Sequence, residues 1–261
     1  MRSFLVGDDN KQPSKALWQL YELALQPPGY ACRQGCSACC CTQSVTMTAL
    51  EGELIIAYVP PAELAAALAA VDEEKLKRPV VTTNRYVRQF LGKSAQVEEV
   101  AGWSLVPCPF LRDKVCTIYP VRPFMCRGFV SRSDCRVSGC AEVPPQILLL
   151  NTIIQQMIEQ LSLGRPWGLL SDILAPRPEV VLPLCEAMPG LYIDERERRQ
   201  LGKYLARIGE LGRKLFPSGD IFDSGDMRRQ FKQYRYRDIE AAALVDGGRK
   251  LSLNLLMAFR V

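Results

Sequence analysis

Cys32-Arg33-Gln34-Gly35-Cys36-Ser37-Ala38-Cys39-Cys40-Cys41 places five cysteines in ten residues. A second stretch, Cys108-Pro109-Phe110-Leu111-Arg112-Asp113-Lys114-Val115-Cys116-Thr117-Ile118-Tyr119-Pro120-Val121-Arg122-Pro123-Phe124-Met125-Cys126-Arg127, carries three more, and the chain has no histidine. Adjacent cysteines such as Cys39 and Cys40 close a strained ring if they bond to each other, whereas two neighbouring thiolates can both reach toward a soft cation. Cys36 and Cys39 have the two-residue gap that lets both sulfurs of one turn face a common ion. The pattern predicts a metal centre held by Cys32, Cys36, Cys39 and Cys40 from the loop, with Cys108, Cys116 and Cys126 from far downstream. Cys41, Cys135, Cys140 and Cys185 are expected to be small buried hydrophobes.

The sequence on either side of this loop is helical. Residues 14–26 put Leu17, Leu20, Tyr21 and Ala24 at helical spacing and stop at Pro27-Pro28-Gly29. After the loop, Thr48 and Glu51 have the spacing of a capping box, which predicts a helix to about Tyr58. Pro61 opens an Ala-Leu-rich helix expected to reach about Leu76, and residues 86–91 read as a further turn or two. Strand signals are few. Residues 103–106 and 115–119 flank the turn-like Arg112-Asp113-Lys114, predicting a short hairpin with Cys108 and Cys116 nearly opposite each other. Residues 147–161 and 194–215 are helical in pattern, the latter opened by Asp194 with Glu197. The expected fold is mainly α: a helical protein with a small β-hairpin and a cysteine-rich metal-binding loop region. A soft boundary at Pro144-Pro145 separates a cysteine-cluster domain, 14–143, from a helical C-terminal region, 146–261. Gly164, Gly168 and Gly247-Gly248 read as turns.

Composition narrows the setting. At 261 residues and 48% hydrophobic, the chain can bury a large core without disulfides. Its start lacks the apolar core of a secretory signal, and the longest apolar stretch, 54–71, is broken by Pro60, Pro61 and Glu63. The expected location is cytoplasmic, with no membrane partner. In a reducing cytosol, eleven cysteines are read as ligands or buried thiols, and an odd number cannot all pair. The net charge of +5 is too mild to imply nucleic acid by itself.

Spacing leaves the metal open between zinc and an iron–sulfur cluster. Zinc without histidine needs four cysteines or a carboxylate substitute, only one tight cysteine pair is obvious, and neither common ferredoxin pattern fits. The run Cys32, Cys36, Cys39 also matches the spacing of radical S-adenosylmethionine enzymes. Position 38 is alanine where those carry an aromatic residue, and no alternating strand and helix run follows to build their barrel.

A cysteine-rich loop ending in Cys39-Cys40, followed by Cys108-Pro109-Phe110-Leu111, Cys116-Thr117-Ile118-Tyr119, Arg122-Pro123 and Cys126-Arg127, resembles the YkgJ-type cysteine-cluster family of zinc- or iron-chelating domains. The resemblance covers residues 30–130 and implies metal chelation by these cysteines. The chain differs in a gap from Cys32 to Cys36 that is one residue longer, and in the third consecutive cysteine, Cys41. Flagellin lysine methylases look similar in this region, which implies an alternative: a metal-dependent protein-modifying enzyme. Whether the chain is an enzyme is left open.

Without histidine, nucleophile–imidazole arrangements are unavailable, and no catalytic carboxylate can be named. Asp72-Glu73-Glu74, beside Lys75 and Lys77, reads as a solvated helix face, and Glu98-Glu99 is the other acidic cluster. Arg122 and Arg127 have two readings, as counter-charges to a thiolate-bound metal or as carbonyl contacts. Residues 228–237 mix five basic and three aromatic side chains, which would suit a nucleic-acid-binding zinc module or a helix docked on the core. The modest net charge favours the docked helix. Any protein partner is unspecified by these patterns.

Overall fold

Thr48 and Glu51 begin the helix that organises the fold. The Thr48 hydroxyl accepts the Glu51 N–H at 3.3 Å, and the Glu51 carboxylate accepts the Thr48 N–H at 2.9 Å, closing the expected capping box. The computed structural model describes residues 12–24, 29–42, 45–91, 106–128, 130–191 and 195–217. In chain order the helices are α1 (Gln12–Tyr21), α2 (Ala38–Thr42), α3 (Ala49–Tyr58), α4 (Pro61–Ala69), α5 (Thr83–Leu91), α6 (Phe124–Gly128), α7 (Cys135–Ser138), α8 (Pro145–Leu161), α9 (Leu170–Leu174), α10 (Glu195–Gln200) and α11 (Gly202–Leu215). Four short strands join them: β1 (Thr46–Thr48), β2 (Leu111–Arg112), β3 (Val115–Cys116) and β4 (Trp167–Leu169). The protein is mainly α, as its patterning predicts.

Helix α8 is the axis. Its apolar face meets Leu17, Leu20 and Tyr21 of α1, Leu50 of α3, Phe124 of α6 and Ile208 of α11 in one buried cluster. That core joins residues on both sides of Pro144-Pro145, the point expected to separate two domains. A second cluster packs Ile55 of α3 and Ile173 and Leu174 of α9 against Phe110, Ile118 and Val121, so the hairpin region is seated on the helices by its apolar side chains. Among the described residues no helix is long and apolar enough to cross a membrane.

The β2–β3 hairpin forms through Asp113 and Lys114, both at positive φ (47° and 64°), the twist a two-residue connection needs. Its register differs from expectation. Leu111 lies opposite Cys116, and Cys108 sits before the ladder in a turn closed by the Leu111 N–H on the Cys108 carbonyl at 3.0 Å. Strand β3 ends at Cys116 because Tyr119-Pro120-Val121 turns into a 3-10 helix. Residues 103–105 of the other expected strand lie outside the described residues, as do Glu98-Glu99, Asp194, residues 228–237 and Gly247-Gly248.

Two further expectations change. The helix opened by Pro61 stops at Ala69, short of Leu76, because the chain turns to bring Arg78 onto buried Asp172, with its Nε donating at 3.0 Å. Glu73 joins this network through Arg78 at 2.8 Å, while Asp72 and Lys75 form an exposed pair at 2.6 Å. Gly168 is a strand residue rather than a turn: β4 pairs antiparallel with β1, Met47 opposite Gly168, and a Cβ there would lie 2.8 Å from Leu182. Gly164, at φ 73°, does mark a turn.

Helices α3 and α9 meet closely at Gly52, where an added Cβ would lie 2.8 Å from the Ile173 Cγ2. Alanine gains about 1 kcal/mol of helix propensity over glycine, whereas overpacking a β-branched neighbour costs about 1–3 kcal/mol. Gly52→Ala is therefore expected to lower stability by up to about 2 kcal/mol in urea unfolding. A stabilised variant would mean that Ile173 moves without cost.

Candidate metal centre

The cysteine loop is shaped by a turn in which the Cys36 N–H donates to the Arg33 carbonyl at 2.9 Å, with Gly35 at φ 90°. A positive φ of this kind is natural for glycine and strained for other residues. Cys39, Cys40 and Cys41 follow on the short helix α2, where Cys41 is exposed. The Cys108 N–H donates to the Cys40 carbonyl at 2.7 Å, which ties the distant second stretch to α2. Cys116 is held on β3 and Cys126 on α6, whose first turn is set by Pro123.

These placements bring thiols from α2, the turn before β2, β3 and α6 into one electrostatic neighbourhood. Burial, then the charges that Cys108, Cys39 and Cys116 would carry, hold the Cys126 thiol well above its ordinary value. Burial chiefly pushes Cys108 up to about 11, with Cys116 and Cys39 adding to it, and Cys116 rises for the same reasons. The Cys39 thiol is raised first by its hydrogen bond with Cys40, then by burial.

A second group adjoins the first. The Cys32 Sγ accepts the Ser131 N–H at 3.1 Å, and the Ala31 N–H donates to the Ser131 carbonyl at 2.9 Å, pinning the start of the loop to residue 131. Burial pushes the Cys32 thiol up to about 11, with Cys36, Cys135 and Cys39 contributing. Cys135, at 6% exposure, hydrogen-bonds the Ser131 side chain and lies near enough to Cys36 and Cys39 to be raised by them after burial. Cys135 is thus a member of the thiol neighbourhood that the sequence reading missed. Its burial is as expected, and although Arg136 follows it as Arg127 follows Cys126, its nearest cysteine is five residues away at Cys140 and no Pro adjoins it.

Cys185 is buried elsewhere, and Glu159 and Glu51 are the charged groups that add to its burial. All eleven cysteines are free thiols. Among the described residues no group of three or more Cys, Asp or Glu side chains is arranged to hold a metal ion as it stands. The seven cysteines named from the sequence therefore share a region without forming a closed ligand set.

The two arginines divide their work. Arg127 donates to the carbonyls of Arg122 at 3.0 Å and Pro120 at 2.6 Å, and lies 4.5 Å from the Tyr21 ring centroid. It clamps the loop onto α1. Arg122 stacks on Tyr119 at 3.6 Å, and its charge pulls the thiols of Cys116 and Cys126 downward against the burial that raises them. Both arginines are carbonyl contacts, since Arg122 also donates to the Tyr119 carbonyl at 3.0 Å, and Arg122 is in addition the one whose charge acts on the Cys116 thiol.

Glu51 anchors the helix that carries Cys126. Its Oε1 accepts the Phe124 N–H at 2.8 Å and the Tyr21 hydroxyl at 3.0 Å, while Oε2 accepts from Thr48. One buried carboxylate thereby joins α1, α3 and α6. Comparison with protein-family models, curated proteins and solved structures finds no match to this chain.

Proposed function

We propose that this chain is a metal-binding protein of the YkgJ type, holding a zinc ion or an iron–sulfur cluster through cysteine thiolates. The observation that carries this reading is the convergence of Cys39, Cys108, Cys116 and Cys126, contributed by α2, the turn before β2, β3 and α6, with the Cys108 N–H bonded to the Cys40 carbonyl and the Cys126 thiol within electrostatic reach of the other three. Neighbouring thiolates and burial disfavour ionisation of a thiol, and a bound cation reverses that logic by favouring every thiolate at once. The donor set is sulfur without imidazole, which suits zinc or iron. Cys40, Cys32 and Cys36 complete the set named from the sequence, and ligation requires these side chains to turn toward a common ion. Because ligation consumes deprotonated cysteines from distant segments, metal binding and folding of this region are coupled. The cellular setting proposed is the cytoplasm, where reduced thiols persist.

The test is purification without oxygen, followed by elemental analysis and an absorption spectrum. Stoichiometric colourless zinc, or iron with acid-labile sulfide and visible absorption, is expected. Cys108→Ser and Cys126→Ser should each reduce metal content to a small fraction of one site, and Cys41→Ser should leave it unchanged. Metal-free protein that is equally well folded would end the proposal.

A further inference from the structure

A cavity of about 80 Å³, open on one side, lies between α5, α6 and α8 and is closed by β1 and β4. None of its lining residues carries a charge, and Tyr86, Phe124 and Trp167 give it aromatic walls. Its polar groups are unusual. Gln155 is 4% exposed and lines the cavity, yet neither its Oε1 nor its Nε2 has a hydrogen-bond partner. The Trp167 Nε1 and the Asn151 Oδ1 are likewise buried, unpartnered and on the cavity wall.

Other buried polar side chains of α8 show that this is not a general looseness of the helix. The Asn151 Nδ2 donates to the Gly128 carbonyl at 2.7 Å, the Gln156 Nε2 to the Gly190 carbonyl at 3.0 Å, and Glu159 accepts the Thr83 and Asn84 N–H groups. The bond to Gly128 fixes which end of Asn151 is its oxygen, because only the NH₂ can face a carbonyl. A Cβ at residue 128 would lie 2.9 Å from that same Nδ2, so glycine there permits the close approach. Gln155 is left as an amide with a donor and an acceptor side by side and nothing to bond.

Buried polar groups are nearly always satisfied, and several unsatisfied ones converging on one cavity call for a ligand or ordered water. We propose that this cavity binds the amide edge of a small, uncharged ring compound, whose carbonyl accepts from Gln155 or Trp167 and whose N–H donates to Gln155 or Asn151. The absence of lining charge argues against an anion or cation, and the aromatic walls suit a flat ring. The amide edge and the adjoining part of the ring enter between these walls, and the rest of the ligand lies at the mouth. This site is separate from the thiols, although α6 serves both, presenting Phe124, Met125 and Gly128 to the cavity and carrying Cys126.

The experiment is calorimetric titration of the full-length protein with nicotinamide, uracil and nicotinate. Saturable one-to-one binding of nicotinamide or uracil is expected, the one that binds distinguishing a primary from a cyclic amide, with no binding of nicotinate, which places a carboxylate where nicotinamide has its amide. Gln155→Leu should weaken binding at least about tenfold. Trp167→Phe, which keeps the ring and removes the N–H, should also weaken it and decides the matter if Gln155→Leu does not fold. No saturable heat with either amide at millimolar concentration would mean that water alone fills the cavity and would overturn the proposal. So would nicotinate binding as tightly as nicotinamide, or unchanged affinity in folded variants.

Discussion

Replacing Glu51 by alanine is expected to destabilise the protein by about 4 kcal/mol, since it leaves several buried donors without an acceptor, each costing about 1–3 kcal/mol. The donors are the Phe124 N–H, the Tyr21 hydroxyl and the Thr48 N–H and hydroxyl, and Glu51 itself is 1% exposed. Burial raises the Glu51 carboxyl above its ordinary value, opposed by these hydrogen bonds. Thr48→Ala is the internal control: it removes only the cap side chain and should cost about 1 kcal/mol. If the proposed metal centre is present, its occupancy should fall in Glu51→Ala as well, because Cys126 rides on the helix that Glu51 holds. Urea unfolding of both variants checks the difference. Equal losses would mean that Glu51 acts only as a cap residue and does not join α1 to α6.

Half of Glu51's role was visible in the sequence and half was not, for a physical reason. A capping box is local, so Thr48 and Glu51 predict it from a three-residue spacing. The contacts to Tyr21 and Phe124 cross 30 and 73 residues and depend on how the helices pack. The same division runs through the fold. Helices α1, α3, α5 and α8 follow from periodicity and caps, and the β2–β3 hairpin from Arg112-Asp113-Lys114. The β1–β4 pair does not, because strands of three residues joined across more than a hundred positions leave no alternating pattern to detect. Within the candidate site, clustering marks Cys32 to Cys40, and the Pro and Arg neighbours mark Cys108 to Cys126. Cys135 enters only because Ser131 ties its segment to Cys32. The cavity amides of Asn151 and Gln155 are spaced four apart along α8, and their burial depends on the packing around that helix rather than on any local pattern.

Stability should also fall as pH rises from about 5 to 8, and Glu159 should account for a large part of the fall. Its carboxylate accepts the Thr83 N–H at 2.6 Å and the Asn84 N–H at 3.0 Å, satisfying amides that α5 cannot satisfy internally at its N-terminus. Burial nevertheless dominates, pushing Glu159 from an ordinary value of 4.5 up to about 7. A carboxyl whose folded pKa lies above its unfolded one favours the fold fully below the unfolded value and loses that contribution as pH rises through the folded one. Between pH 4.5 and 7 the loss is roughly 3 kcal/mol, and above that window it is constant. Glutamine does not titrate, but its NH₂ cannot accept, so one of the Thr83 and Asn84 N–H groups loses its acceptor. Glu159→Gln should therefore be less stable than the parent at pH 5 by about 1–3 kcal/mol, the cost of one unpaired N–H, and the gap should move in favour of glutamine by roughly 3 kcal/mol by pH 8. Taking the difference between parent and variant at each pH cancels the titration of Glu51, which both share. Glu159→Ala, which removes both acceptors and leaves a void, should be less stable than Glu159→Gln at either pH. A parent–glutamine difference that stays constant from pH 5 to 8 would show that the two amides, together with the helix N-terminus, outweigh burial and keep Glu159 ionised throughout.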